Sequence, residues 1–440
     1  MMNRQKESQM RRKRQMAAML MFAAAASVAL IAAASGTAGS DSAGTQTSAI
    51  SGPSGYVGSG KPMVGKGGGY NETYSAPAPT LAHTLFQAKL LPAAKAPRNI
   101  ALAAFGRSAH KVNYALALKC WKNNGCSTGT GGKLTVAYVE GFGENTYRQM
   151  SKMEFILQAL TYPQVGKIIY RSAHSDLNQA IADFKSVIAQ HVSAIVTYPD
   201  FGDAMIPVFQ EATKAGIPVS TYAWGYVTGP GQNYTTVVGE DTCKLGQAFA
   251  QVMNTQVGSG NIAFMGGFPG NPLSLGWQKC EQAALNPNIK IVANEPTNWD
   301  PSKVQGVVAG ILAKYPDLKG LSYEDALFMS QGGYAAYQAA NIPYQGVFTY
   351  RTDESAMGCL ADKLNDPKLK IYYYTAGNSQ IRVALTADMM KLAGAKIPPE
   401  IVFPIQLQQQ SKRDMCIKGY PPTASPTTLI PLSLLHKMYP

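Results

Sequence analysis

KLTVAYVEGFGENTYRQMSKMEFILQAL, residues 133–160, is the stretch that shows the unit from which most of this chain is built. An apolar run at 134–139 is followed by a turn with two glycines and then by residues 147–160, in which apolar side chains recur at helical spacing. A short apolar run before an amphipathic helix is typical of the strands and helices that alternate in a parallel sheet. The stretch therefore predicts an α/β fold.

The same unit recurs as far as residue 405 and predicts eleven strands. Helical stretches separate most of them, for example 177–191, 205–215, 245–257 and 303–313. The predicted strands are 134–139, 167–171, 194–198, 218–222, 236–239, 262–266, 289–293, 320–323, 347–350, 371–375 and 401–405. Eleven strands are too many for one small sheet, so we expect two doubly wound parallel-sheet lobes. A closed eight-stranded barrel, the alternative, would leave three strands over.

The N-terminal region differs in composition from the rest of the chain. Residues 1–34 begin with a basic segment that contains RRKR at 11–14, continue with an uncharged apolar stretch at 16–34, and end in small residues. This order is typical of a secretory signal peptide cleaved after Ala34 or Ala38, and the arginine pair also permits twin-arginine export. A retained membrane anchor is the alternative, because about 19 apolar residues are just enough to cross a bilayer. Residues 35–95, rich in Gly, Ser and Pro, are predicted to form a flexible linker.

The net charge of +13 is concentrated near the N-terminus. In residues 131–440, Lys and Arg outnumber Asp and Glu by only one. Nucleic-acid binding requires a basic surface on the folded part of a protein. We therefore expect no nucleic-acid partner, and the 46% of hydrophobic residues excludes a wholly disordered chain.

Six cysteines in a chain that is predicted to be exported indicate disulfide bonds. They are Cys120, Cys126, Cys243, Cys280, Cys359 and Cys416. Six cysteines allow fifteen pairings. Only the first two suggest a partner for each other, because they flank a turn-forming stretch and can close a small loop. Zinc is disfavoured, since the spacings contain no paired C-x2-C units and the chain has only five histidines.

Aromatic, acidic and amide side chains follow many of the predicted strands. In parallel sheets, ligands bind beyond the C-terminal ends of the strands. Aromatic rings can stack on sugar faces, and carboxylates, amides and Arg form directional hydrogen bonds with hydroxyl groups. The sequence therefore predicts a site for a polar, ring-shaped solute. Its candidate residues are Asn145, Tyr147, Trp224, Glu240, Asp241, Trp277, Trp299, Asp300, Glu324 and Arg351.

Most of these candidates also have a purely structural interpretation. Three of them precede predicted helices and can cap them: Asn145, Asp241 and Asp300. The tryptophans can fill the core, Glu324 can lie on a solvated surface, and Arg351 can form a surface ion pair with Asp353.

Six segments, taken in order, resemble a known family. They are NTYR at 145–148, AGIPV at 215–219, VGED at 238–241, GFPGNP at 267–272, WD at 299–300 and EDA at 324–326. Over residues 133–408 the chain resembles the type I periplasmic binding proteins of ABC transporters, in the ribose/galactose-binding group. The resemblance implies two lobes joined by a three-stranded hinge, closure of the lobes around a solute, and docking of the closed form on a membrane permease.

The resemblance also implies a division of the chain and a set of contacts. After a helical segment at 96–132, the N-lobe would span 133–238 and the C-lobe 239–375. The chain would return to the N-lobe at 376–405, and 406–440 would form a C-lobe edge and tail. The ligand contacts that the family implies are Asn145, Tyr147, Glu240, Asp241, Trp299, Glu324 and Thr375.

Three departures from the family pattern bear on the ligand. Trp224 stands where an Asp often follows the fourth strand, Trp277 where an Arg lies on a helix, and Arg351 where an Asp follows the ninth strand. These changes leave the usual hydroxyl clamp for simple sugars incomplete. They favour a larger glycoside, an amino sugar, a cyclitol or an acidic sugar, and we expect Arg351 to face the cleft and to contact an acceptor or anionic group.

The sequence thus favours an exported, periplasmic or extracytoplasmic binding protein of an ABC importer, tethered to a membrane if its N-terminus is not cleaved. We expect a monomer that binds a small sugar-like solute and a permease, with no cofactor, no metal and no catalysis. The alternatives are a sensor domain that passes its ligand state to a receptor, and a glycoside hydrolase that uses two carboxylates such as Glu240 and Glu324. The leading interpretation requires Asn145, Trp224, Trp299 and Glu324 to face one cavity.

Overall fold

The computed structural model describes residues 91–439 except 109, 144, 223–226, 376, 411–415 and 417–418. The predicted signal peptide or anchor at 1–34, nearly all of the linker at 35–95, and Trp224 lie outside the described residues. In the part of the chain that is described, no helix combines the length and the apolar character needed to cross a membrane.

The described residues contain thirteen strands. They are β1 Gly125–Ser127, β2 Leu134–Glu140, β3 Val165–Ser172, β4 Ala194–Tyr198, β5 Val219–Tyr222, β6 Thr236–Glu240, β7 Gly260–Gly266, β8 Ile289–Pro296, β9 Gly320–Tyr323, β10 Gly346–Tyr350, β11 Leu369–Tyr373, β12 Glu400–Phe403 and β13 Gln408–Gln409. All eleven predicted strands are present. The two that the sequence did not predict, β1 and β13, are too short to give a recognisable pattern.

The strands form two sheets. The first has the order β1-β3-β2-β4-β5-β6-β12 and the second the order β13-β11-β10-β9-β7-β8. Every pairing is parallel except those of the unpredicted strands, in which β1 runs antiparallel to β3 and β13 antiparallel to β11. The prediction of two parallel-sheet lobes is therefore confirmed. We refer to the part built on the first sheet as the N-lobe and to the part built on the second as the C-lobe.

Helices follow most strands, as the periodicity predicts. They are α1 Lys95–Ser108, α2 Tyr114–Lys122, α3 Thr146–Leu160, α4 Leu177–Ala189, α5 Ile206–Lys214, α6 Thr242–Gln256, α7 Pro272–Ala284, α8 Pro301–Lys314, α9 Ala326–Phe328, α10 Tyr334–Ala339, α11 Ser355–Leu364, α12 Gln380–Leu392 and α13 Leu432–Met438. Polar side chains fix where several of them begin. Asn145 Oδ1, for example, accepts a hydrogen bond from the Arg148 amide at 3.0 Å, so α3 begins just beyond the end of β2.

The chain passes between the two sheets three times. It leaves the first sheet between β6 and α6, returns between β11 and α12, and leaves again between β12 and β13. Helix α12 belongs to the N-lobe, because Asp388 on this helix accepts a hydrogen bond from Ser220 of β5 at 2.5 Å. The lobes are thus joined at 240–242, 373–380 and 403–408.

Three disulfide bonds link the six cysteines. Cys120–Cys126 closes the small loop between α2 and β1, as the sequence suggests. The other two pairings, which the sequence left open, are Cys243–Cys280 between α6 and α7, and Cys359–Cys416 between α11 and the C-terminal tail.

The C-terminal tail contacts both lobes. On the C-lobe side, the hydroxyl groups of Ser425 and Thr427 donate to the buried carboxylate of Asp353. A few residues later, the Thr428 hydroxyl and the Leu429 amide donate to a carboxylate oxygen on α3 of the N-lobe, at 2.7 and 2.8 Å. The tail, which the sequence places at the edge of the C-lobe, therefore continues across to the N-lobe.

The contact between the tail and Asp353 predicts a dependence of stability on pH. Burial raises the pKa of the Asp353 carboxyl to about 7, although hydrogen bonds, the first from Ser425, oppose the shift. Between about pH 4 and pH 7 the unfolded chain has lost this proton while the folded chain keeps it, so the free energy of unfolding falls as pH rises through that window.

We expect Asp353→Asn to remove about 3 kcal/mol of the decrease in unfolding free energy between about pH 5 and pH 8, as measured by urea denaturation. Asp176→Asn, at an exposed helix cap, is the matched control and should leave the pH profile unchanged. Identical profiles for Asp353→Asn and the unsubstituted protein would contradict this assignment.

Candidate functional site

A cavity lies between the lobes, beyond the C-terminal ends of strands from both sheets. The space between its atoms, including the part open to solvent, is about 340 Å³. Four lining residues belong to the N-lobe and six to the C-lobe. They are Asn145, Tyr147, Arg148, Tyr198, Leu273, Trp299, Glu324, Asp325, Arg351 and Thr352.

Three aromatic rings line the groove beside this cavity, and one of them, Trp299, also lines the cavity itself. The ring centroids of Phe268 and Trp299, both in the C-lobe, are 5.3 Å apart in an edge-to-face arrangement. Phe142 of the N-lobe lies 5.2 Å from Phe268 and 6.1 Å from Trp299. Such contacts bury flat apolar surface. The cluster therefore joins the two lobes and offers a stacking surface.

The backbone holds Trp299 in an unusual conformation. Both Asn298 and Trp299 have positive φ angles, 57° and 50°, which residues other than glycine rarely adopt. The indole packs so closely on Gly267 that a Cβ atom there would lie 2.2 Å from the ring. The position of the ring is thus fixed by its turn and by the absence of a side chain beneath it.

Glu324 follows β9 and is only 2% exposed. Its carboxylate accepts hydrogen bonds from the indole N–H of Trp299, from the indole N–H of Trp277 at 2.8 Å, and from the Ser274 hydroxyl at 2.5 Å. Burial raises the pKa of the Glu324 carboxyl, and these hydrogen bonds oppose the shift. Hydrogen bonds therefore join four groups from three segments at the C-lobe wall.

Trp277 occupies a different position from Trp299. It is fully buried, and its ring packs edge-on against Phe249 at 5.7 Å and Phe264 at 5.5 Å. It does not line the cavity but supports Glu324 from behind. The structural alternative, core packing, therefore describes Trp277 better than the predicted ligand contact.

Arg148 supplies the positive charge on the N-lobe side. Its guanidinium lies 3.2 Å from a carboxylate oxygen of Glu140 and 2.6 Å from one of Asp200, with its carbon 3.3 Å from the centroid of the Tyr198 ring. Neither Arg148 nor Tyr198 is among the candidate residues selected from the sequence. Both follow strands closely, Tyr198 as the last residue of β4, so the strand-end rule that selected Asn145 also applies to them.

Arg351 supplies the positive charge on the C-lobe side and pairs across the lobes. It is 3% exposed, and its Nε donates a hydrogen bond to Oε1 of Glu240 at a distance of 2.5 Å. Glu240 lies at the end of β6. The other Glu240 oxygen accepts from Gln380 at 3.3 Å. The alternative of a surface ion pair with Asp353 is wrong, since Arg351 is buried and Asp353 instead accepts from the tail hydroxyls.

The remaining candidate residues occupy various positions. Asn145 and Tyr147 line the cavity, and the buried Tyr147 hydroxyl has no hydrogen-bond partner among the described residues. Asp241 caps α6 and Asp300 caps α8. Thr375 is 1% exposed and does not line the cavity. Of the four residues required to face one cavity, Asn145, Trp299 and Glu324 do so.

A larger groove continues from the cavity, and Asn145 and Trp299 line both. The space between its atoms, including the part open to solvent, is about 1110 Å³. Its walls also contain Phe142, Phe268, Phe328, Asp300 and Tyr439. The site is therefore a small cavity beside a wider, more apolar groove. No group of three or more His, Cys, Asp or Glu within the described ranges is arranged to hold a metal ion.

Comparisons with known proteins agree with this geometry. The family described as "Periplasmic binding protein domain" matches residues 136–391, which is more than half of the chain. The ribose import binding protein RbsB of Bacillus subtilis (strain 168) is 22% identical over 250 residues, which cover 56% of this chain and 77% of the relative.

Solved structures share the fold. An ABC transporter periplasmic solute binding protein from Actinobacillus succinogenes 130z with bound D-allose has a TM-score of 0.54 at 22% identity, and the match covers 64% of this chain and 99% of that one. An ABC transporter solute binding protein from Bacillus halodurans C-125 with bound myo-inositol has a TM-score of 0.55 at 18% identity, with coverages of 65% and 97%. At such identities the match establishes the two-lobed fold.

Proposed function

This chain belongs to the periplasmic binding protein domain family, and from that premise we propose that it is an exported solute-binding component of an ABC importer. Its ligand would be a small polar solute, sugar or sugar-like, held between the lobes. One observation carries the proposal: side chains from both lobes, which the chain joins at three places, converge on a single polar and aromatic cavity.

Contacts that cross the lobes support binding by closure. The Arg351–Glu240 pair and the packing of Phe142 on Phe268 both join an N-lobe residue to a C-lobe residue. These contacts would separate if the lobes moved apart. A solute that touches both lobes adds favourable contacts only in the closed form, and so it shifts the equilibrium toward that form.

The geometry supports distinct roles for the lining residues. Trp299 would stack on an apolar ring face, and Asn145 and Tyr147 would hydrogen-bond the solute from the N-lobe. Glu324 would accept from a donor group of the solute, and Arg351 would hold the two lobes in register around it. We propose Asp241, Thr375 and Trp277 as structural supports, while Trp224 stays a predicted contact.

The same residues favour binding over hydrolysis. Glu240, one of the two carboxylates that a glycoside hydrolase would use, does not line the cavity and accepts hydrogen bonds from Arg351 and Gln380. A receptor-linked sensor would use the same cavity. The importer proposal draws on the B. subtilis relative, whose name describes it as an import binding protein, and implies a permease partner and an extracytoplasmic location.

Native mass spectrometry of the exported protein tests the proposal. We expect one solute of low mass per chain, released on mild denaturation, and a smaller radius of gyration by solution X-ray scattering when the solute is bound than after its removal. The proposal fails if the protein carries no solute, binds no member of a panel of pentoses, hexoses and cyclitols, and does not change its radius.

A further inference from the structure

The cavity is surrounded by more carboxylates than cations. Around it the structure places two guanidinium groups, of Arg148 and Arg351, the ammonium group of Lys152 close to Glu140, and six carboxylates. The six are Glu140, Asp200, Glu240, Glu324, Asp325 and Glu354, each no more than 8% exposed at its side chain or residue. If all are ionised, the site carries a surplus of negative charge.

The two guanidinium groups form their ion pairs with carboxylates of the N-lobe. Arg148 bridges Glu140 and Asp200, and Arg351 binds Glu240 directly. The charge of Arg351 also acts on Glu324 and Glu354, but only as a minor influence on their pKa values. The negative surplus therefore lies on the C-lobe side of the cavity.

Neutral groups donate hydrogen bonds to the C-lobe carboxylates. Glu324 accepts from a hydroxyl and two indoles, as described above. Asp325 accepts from the Phe328 amide at 3.0 Å, and Glu354 from the Thr352 hydroxyl at 2.5 Å and the Leu327 amide at 3.3 Å. A buried carboxylate that has only neutral donors is unfavourable unless a proton or a cation compensates its charge.

Unpartnered polar atoms mark the same place as a binding site. The Tyr147 hydroxyl, which lines the cavity, and the Gln380 carbonyl oxygen beside Glu240 are buried and have no hydrogen-bond partner within the described ranges. Buried polar atoms normally have partners, so the Tyr147 hydroxyl is available to bind a polar group of a solute in the cavity. An ammonium group brings three donors and no acceptor, which suits such acceptor-rich walls.

We propose that the solute carries a protonated amine, as in an amino sugar or an amino-substituted cyclitol, and that its ammonium group contacts Asp325 and Glu324 on the C-lobe side of the cavity. The inference rests on the proposed function, because it names the class of solute for that cavity. It also replaces the expectation that Arg351 contacts an anionic solute, since Glu240 already offsets the charge of Arg351.

Proton release accompanies such binding. Burial raises the pKa of Glu324, of Asp325 and of Glu354, and the neighbouring Glu354 charge adds to the shift of Asp325. The other charged and titratable groups that act on them are Arg351, Asp353 and Tyr323. A bound ammonium favours the ionised carboxylates, so the complex releases protons and weakens as pH falls.

Calorimetry on the full exported chain tests the proposal with matched pairs of probes. The pairs are D-glucosamine with D-glucose, D-galactosamine with D-galactose, and an aminocyclitol with myo-inositol, each titrated in two buffers of different ionisation enthalpy. In at least one pair we expect the amine to bind more than about tenfold tighter and to release about one proton, as loss of a charge-assisted hydrogen bond predicts for the neutral partner.

The Asp325→Asn variant tests the charge of this side chain without removing the helix cap that it provides. Asparagine also caps helices well, so the start of α9 is kept while the charge is lost. We expect the preference for the amine over its neutral partner to fall by about tenfold or more, and proton release to be lost. Asp176→Asn, at an exposed cap on α4, makes the same chemical change outside the cavity and should bind like the unsubstituted protein.

The outcomes distinguish the two proposals. Tighter binding of the neutral member in every pair that binds overturns the inference and leaves the proposed function standing. An amine preference that Asp325→Asn does not reduce overturns the placement at Asp325. Failure of every pair, together with no co-purified solute, overturns the proposed function itself.

Discussion

Replacing Trp299 by alanine is expected to lower the affinity for the solute by roughly 30- to 1000-fold, equivalent to about 2–4 kcal/mol. The substitution removes the stacking surface shared by the cavity and the groove, and it leaves Phe142 and Phe268 without their central partner. It also removes one of the donors to the buried Glu324 carboxylate. These losses fall on a single residue at the centre of the site, where truncation has its largest effects.

Two further variants separate the contribution of the aromatic ring from that of the N–H donor and control for nonspecific effects. Trp299→Phe keeps an aromatic face but loses the N–H donor, so we expect an intermediate loss of roughly tenfold. Trp121→Phe is the matched control, because this half-buried indole donates to the Gln149 carbonyl at 2.9 Å outside the cavity. Calorimetry with the co-purified solute measures all three. Undiminished affinity in Trp299→Ala, with a native circular dichroism spectrum, would rule out Trp299 as a contact.

Replacing Glu154 by alanine is expected to lower the free energy of unfolding by about 3–5 kcal/mol. Glu154 on α3 is fully buried and binds Arg382 on α12, which is 2% exposed. The same carboxylate accepts the two tail hydrogen bonds from Thr428 and Leu429. Its loss leaves a buried guanidinium without its carboxylate and releases the tail from the N-lobe.

Urea denaturation at neutral pH measures this effect. Glu154→Gln keeps an acceptor of the same shape and should lose less stability than Glu154→Ala. The double variant Glu154→Leu/Arg382→Leu removes both charges, so most of the lost stability should return. A decrease below about 1 kcal/mol in Glu154→Ala would show that the pair is not a major source of stability.

The strand and helix pattern could be predicted because it is local. Apolar runs of four to eight residues and helical periodicity are properties of short segments, so all eleven predicted strands appear. Residues at strand ends could also be selected, since parallel strands bring their C-terminal ends to one edge. Five residues selected by this rule line the cavity: Asn145, Tyr147, Trp299, Glu324 and Arg351.

The same rule could not give side-chain orientation. Trp277 and Trp299 both follow strands of the C-lobe, yet one fills the core and the other lines the cavity. Asp241 and Asp300 satisfy helix amides, an alternative that the sequence could state but not decide. Orientation depends on packing against neighbouring elements, which short-range patterns do not contain.

The sequence by itself determined the α/β fold, the two lobes and the family, because the alternation of strands and helices and the short motifs are local features of the chain. Tertiary structure alone decided which charges pair. Arg351 and Glu240 are 111 residues apart, and Thr428 and Glu154 are 274 apart. Burial of these groups makes their partners, rather than solvent, set their charge and position. The acceptor-rich cavity forms only when both lobes are folded and brought together. The class of solute therefore could not be inferred from the sequence alone.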